Sequence, residues 1–211
     1  MQDVLLEPYG GKILHLPVGA TTGLTALLAI GGGVGLGLAA RALNRGADPY
    51  RVAGFGALAG LFAFASVIFS APTASPALFA VGVGLVGFGA GLFAHGTLTA
   101  SMAMAQGDAT GLALGAWGAV QALAAGLAIA AGGLISDVIA NLAASGRLGA
   151  TLSGPATGYT AVYLTEVVLL LGTLVALGPL VGRGAILGSD ETSQTPATTA
   201  FGSPILGARH V

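Results

Sequence analysis

The sequence predicts an all-α integral membrane protein, a bundle of five transmembrane helices. Hydrophobic residues make up 55% of 211 residues and charged ones only 7%, and mean hydropathy is +0.89. A soluble domain carries about 25% charged residues and could not cover its surface with so few, whereas lipid solvates apolar side chains directly. The apolar stretches are continuous rather than alternating and reach the roughly 20 residues that a spanning helix needs, about twice a barrel strand. The 37 glycines fall largely inside these stretches, where glycine lets helix backbones approach closely. The same composition excludes other classes. A net charge of −1 leaves no basic footprint for nucleic acid, and the lack of cysteine excludes disulfides and thiolate chemistry. Asp3 and Glu7 precede any Lys or Arg, unlike a secretory signal.

Residues 1–16 read as the extracytoplasmic end of a helix followed by a turn. Asp3 and Glu7 stand four apart around Val4, Leu5 and Leu6, and Pro8 with Gly10-Gly11 is expected to break the helix. This segment looks like the end of an element, so an upstream span is expected to precede it; the alternative is a short interfacial helix at a true start. The transmembrane domain, 17–182, holds five spans: about Pro17–Ala40, Val52–Ala71, Pro76–Met104, Thr110–Ile139 and Thr160–Val181. The third and fourth are long enough to tilt or overhang. The first connection, RALNRGADPYR, carries Arg41, Arg45 and Arg51 with Asp48, and the positive-inside rule makes it cytoplasmic. The linker near Ala71–Pro76 is then outside, Gln106–Ala109 inside, and Ala140–Tyr159 outside. The tail, 183–211, is cytoplasmic, and its small, polar, Pro-interrupted composition predicts disorder.

Several motifs reduce to packing. Gly82-Val83-Gly84-Leu85-Val86-Gly87 matches G-x-G-x-x-G with Asp108 downstream, but it lies inside a spanning run without the strand that a dinucleotide site requires. The glycine run at 31–37 lacks the Gly-Lys-Ser/Thr of a P-loop. Glycine pairs four apart recur at Gly31/Gly35, Gly33/Gly37, Gly56/Gly60, Gly87/Gly91 and Gly111/Gly115. Each places two glycines on one helix face and argues for a tight bundle.

Ionisable and polar groups inside spans are costly and so mark places to look. His95 lies in GLFAHGTLTAS. One reading makes its imidazole an axial ligand for the magnesium of a chlorin, with small neighbours (Gly91, Ala94, Gly96) leaving room for a flat macrocycle. The other makes it a histidine hydrogen-bonded within the bundle, to Thr97, Thr99 or a glutamine. No other metal site is indicated. Glu166 shares a helix face with Tyr163 and Tyr159 near the outer end of the last span. It is either a proton-coupling carboxylate or an anchor in the aromatic belt, and the anchor is favoured. Asp137 is expected near the headgroups. Gln121, one turn from Trp117, either lines a cavity or bridges two helices. No catalytic constellation is evident, and a non-enzymatic role is expected.

MQDVLLEPYGG, AARALNRGADPYR, GFGAGLFAHGTLTASM and GLALGAWGAVQA together resemble the PucC/LhaA family, the bacteriochlorophyll-delivery branch of the major facilitator superfamily. The likeness covers about residues 1–182. It implies a twelve-helix architecture in two halves, with the five spans here corresponding to helices eight to twelve. Asp3, Glu7, Pro8, Tyr9, Gly10 and Gly11 are then a family signature of unknown role. The resemblance implies a light-harvesting assembly factor in the inner or intracytoplasmic photosynthetic membrane of a bacterium, with its C-terminus cytoplasmic. Its implied partners are antenna polypeptides, transient bacteriochlorophyll, the bilayer, chlorophyll synthase and the membrane-insertion machinery. Two other functions stay open: a proton-coupled secondary transporter of a small solute, and a structural subunit beside an antenna ring.

Overall fold

The computed structural model describes residues 2–105, 109–149 and 152–181, and the expected tail lies outside them. Among these residues the chain forms α1 (Gln2–Lys12), α2 (Val18–Leu43), α3 (Pro49–Ser70), α4 (Pro76–Ala103), α5 (Thr110–Ala144) and α6 (Thr157–Leu177), which a short 3-10 turn at Gly178–Leu180 prolongs. Five of these helices are long and apolar enough to cross a membrane, as expected of a multi-pass membrane protein.

The helix ends follow local chemistry. Gly46 (φ 84°) closes α2, with its N–H donating to Leu43 O and that of Ala47 to Ala42 O. Asp48 then caps α3, its carboxylate accepting from the Tyr50 N–H at 2.8 Å, with Pro49 at the first helical position. Ser75 and Pro76 start α4 in the same way, Ser75 Oγ accepting from the Leu78 N–H at 3.2 Å.

α4 is the central helix, packed between α2 and α3, with α6 against α3 and α5 against α6. Over their most apolar stretches α3 and α4 are 44% buried but α5 and α6 only 11%, so the core sits along α4. Glycine decides how close the helices come. On one face of α4, Gly87 and Gly91 abut the Leu28 and Gly32 carbonyls of α2, while Gly31 and Gly35 of α2 abut those of Gly84 and Phe88. On the opposite face, Gly82, Gly89 and Gly96 meet α3: a Cβ on Gly89 would lie 2.7 Å from Gly56 O, and one on Gly96 2.8 Å from Pro49 O. No alanine fits at these points, so both helix pairs exist because these positions are glycine.

Two expectations need correction. Pro8 and Gly10-Gly11 do not break α1, which runs through them to Lys12. Proline removes one ladder hydrogen bond, but Leu6 and Tyr9 are buried on either side of it and hold the turn against the core. Gly10 lets this face pack closely, since its Cβ would lie 3.1 Å from Phe79 Cε1. Second, α5 continues to Ala144 and α6 begins at Thr157, so the connection between them is shorter than Ala140–Tyr159. At 35 residues, α5 is about 52 Å long at 1.5 Å per residue, well beyond a hydrocarbon core of about 30 Å.

Candidate functional site

α6 carries an inward stripe of Tyr159, Tyr163, Glu166 and Leu170, spaced so that all four share a face. At its upper end Tyr9 is driven in from α1. Its ring is fully buried and lies 5.3 Å from Phe79, 5.6 Å from Tyr159 and 5.4 Å from Tyr163, meeting both tyrosines edge-on. Phe64 of α3 stacks on Tyr163 at 6.1 Å. Tyr9 Oη donates to Val67 O at 3.2 Å, and Ser70 Oγ donates to the same carbonyl at 2.6 Å. Val67 lies in the last turn of α3, where helix carbonyls run out of backbone partners. The tyrosine thus tethers α1 to α3, α4 and α6 and caps a buried helix end. Glu7 adds a second tie, accepting from Thr25 Oγ1 of α2 at 2.7 Å. The signature positions therefore have a structural role: Tyr9 and Gly10 form the docking surface, Glu7 pins it to α2, and Pro8 lies within the docked helix. The side chain of Asp3 lies outside the described residues.

Deeper in the same stripe, Glu166 faces the bundle interior. It lines a cavity of about 110 Å³ whose other walls include Gly60 and Phe64 of α3, Gly89 and Phe93 of α4, and Leu170. Glu166 is the tenth of the 21 residues of α6, about 14 Å along the helix at 1.5 Å per residue. It sits at mid-helix, because α6 starts three residues earlier than the apolar pattern indicates. The Tyr163 hydroxyl above it is buried without a hydrogen-bond partner among the described residues.

The remaining candidates do not join this site. His95 is half-buried on α4, one turn beyond Gly91 on the side that α2 covers. The hydroxyls of Thr97 and Thr99 do not serve its ring: they turn back to the backbone carbonyls of Phe93, Ala94 and His95. Two of the small neighbours expected to leave space for a macrocycle are in use by other helices: Gly91 abuts Gly32 O of α2, and Gly96 abuts Pro49 and Ala53 of α3. A chlorin lying flat over Gly91 and Gly96 therefore does not fit here. Gln121 is half-buried on α5, one turn from Trp117, whose Nε1–H donates to Thr97 Oγ1 at 3.3 Å. Asp137 is exposed, seven residues before the end of α5.

Arg41, Arg45 and Arg51 stand at the opposite end of the bundle from Tyr9. Arg41 and Arg45 border a groove of about 500 Å³ between α2, α3 and α4. Arg51 borders a second, of about 330 Å³, between α3 and α6. Sequence reasoning missed the Tyr9 cluster and the Glu166 cavity. Tyrosines at 159 and 163 with a carboxylate at 166 gave the face, but no local signal says that Tyr9 docks upon it.

A protein family described as PUCC protein matches residues 1–185. An uncharacterized protein in the puhA-bchM intergenic region of Rhodobacter capsulatus is 52% identical over 186 residues, which is 88% of this chain and 39% of that relative. A Protein PucC from Rhodovulum sulfidophilum is 57% identical over 122 residues, covering 58% of this chain and 27% of the relative. A Protein PucC from Cereibacter sphaeroides is 47% identical over 188 residues, 85% of this chain and 38% of the relative. The chain thus spans about two fifths, or less, of the length of these relatives. No solved structure matches it.

Proposed function

The chain belongs to the PUCC protein family, and from that membership we propose that it acts in the assembly of light-harvesting complexes in a photosynthetic bacterial membrane. The observation that carries this reading is the family match over residues 1–185 together with relatives named PucC at 47% and 57% identity. The role is non-enzymatic. The chain shepherds newly inserted antenna polypeptides, and receives bacteriochlorophyll for them, through its lipid-facing helices. The arrangement of α5 and α6 supports this: their exposed apolar side chains, such as Leu112, Leu127, Val168 and Val175, are open to the bilayer where antenna helices and pigment reside. Pigment is taken at such a face rather than on His95, whose flanking glycines are already in use by α2 and α3. Deleting the gene in its phototrophic host and recording near-infrared absorbance tests the proposal. Loss of antenna bands, restored by the intact gene, is the expected result, and unchanged bands would overturn it.

Glu166 favours a second reading, proton-coupled transport of a small solute. A carboxylate at mid-helix, facing a cavity among apolar walls, is costly to keep and suits a proton carrier. Proton-driven uptake that vanishes in Glu166→Gln would support it. Intact antenna assembly in the same variant would separate this role from the first.

A further inference from the structure

The groove at the Arg41 end is built for an amphiphile. Its walls are apolar: Val52 and Phe55 of α3, Phe88 and Leu92 of α4. Its rim carries two guanidinium groups, Arg41 in the last turn of α2 and Arg45 in the turn that follows the helix. No carboxylate is among the lining residues. The rim is held by a fixed turn, with Arg45 N–H donating to Ala42 O and the Gly46 closure directly behind it. The volume of about 500 Å³ falls in the range of ordinary ligand sites, roughly 300–1,000 Å³. The groove opens sideways, because Phe55 is 64% and Leu38 49% exposed along its edge. A ligand therefore enters from the membrane, with its polar part at the level of the helix ends.

We infer that this groove binds an acidic phospholipid of the surrounding bilayer. Its phosphodiester is held by Arg41 and Arg45, and an acyl chain lies along Phe55, Phe88 and Leu92. The charge pattern selects this occupant. Guanidinium is the side chain best suited to bidentate contact with phosphate oxygens, and arginines at a helix end keep their stems on apolar surface while the heads reach the interface. A neutral pigment tail or an apolar helix would bring no negative charge to either cation. The inference does not depend on the role in antenna assembly.

Native mass spectrometry of the full chain, carried from nanodiscs of mixed phosphatidylglycerol and phosphatidylcholine, tests it. The wild-type chain is expected to retain phosphatidylglycerol in preference to phosphatidylcholine by roughly 30-fold, as two basic residues near an anionic headgroup predict. Arg41→Gln/Arg45→Gln is expected to lose that preference, while Arg147→Gln at the other end of the bundle keeps it. Circular dichroism checks that the double variant is folded, and the wild-type preference stands without it. Equal retention of the two lipids by the wild type would overturn the inference. So would an undiminished preference in the folded double variant, or displacement of the lipid by inorganic phosphate alone, which would mark a bare anion site.

Discussion

Tyr9 and Tyr163 touch each other in one aromatic cluster, yet their hydroxyls have opposite energetics. Tyr9 Oη is hydrogen-bonded to the Val67 carbonyl, whereas Tyr163 Oη is buried without a partner among the described residues. Removing the first oxygen deletes one of the two hydrogen bonds to the buried Val67 carbonyl, which keeps its bond from Ser70 Oγ; removing the second relieves a desolvated hydroxyl. Thermal unfolding in detergent should therefore find Tyr9→Phe destabilised by about 1 kcal/mol and Tyr163→Phe unchanged or stabilised by up to about 1 kcal/mol. Equal losses in both would contradict the geometry. The sequence marks Tyr9 as part of a distinctive segment but does not say what it touches. Its partners Val67, Phe79 and Tyr163 are distant in sequence, and only the folded bundle brings them together.

At the scale of elements, glycine spacing was legible as a packing signal but not as a map. All five helix spans follow from the apolar runs, with some ends displaced by a few residues where caps outweigh hydropathy, as Asp48 does at Pro49. Which glycines are used is another matter. Gly31/Gly35 and Gly87/Gly91 form the α2–α4 contact, but Gly33 and Gly37 on α2, like Gly111 and Gly115 on α5, meet nothing within 4 Å. Gly56 meets α4, whereas Gly60 meets Leu170 of α6. The pairs are chemically alike, and only the direction each face points in the bundle separates them. The α3–α4 seam is carried by Gly82, Gly89 and Gly96, a seven-residue spacing that searches for pairs four apart overlook. Gly87→Ala drives a methyl into the Leu28 carbonyl and should cost at least about 1–3 kcal/mol. Gly33→Ala meets open space and should be neutral or gain up to about 1 kcal/mol of helix propensity. Denaturation of the two variants in the same detergent checks the contrast, and comparable losses would refute the assigned faces.

For the whole molecule, the distribution of packing follows from the solvent. α3 and α4 are the buried layer, while α2, α5 and α6 show most of their apolar surface, an arrangement that water would punish and lipid accepts. This surface, rather than an enclosed pocket, is where the proposed role in antenna assembly would place its membrane clients. Composition made the membrane class legible, and the family resemblance gave the proposed role. The Glu166 cavity and the Arg41–Arg45 groove were hidden, because each is walled by three helices whose register no single segment encodes. The proposed role separates an assembly factor, which lets its clients go, from a structural subunit, which keeps them. Pulse-labelling a phototrophic culture and purifying the tagged chain over a chase decides between them. Labelled antenna polypeptides should accompany the chain early and leave it as complexes mature; a constant, stoichiometric association with mature antenna rings would contradict the proposed role.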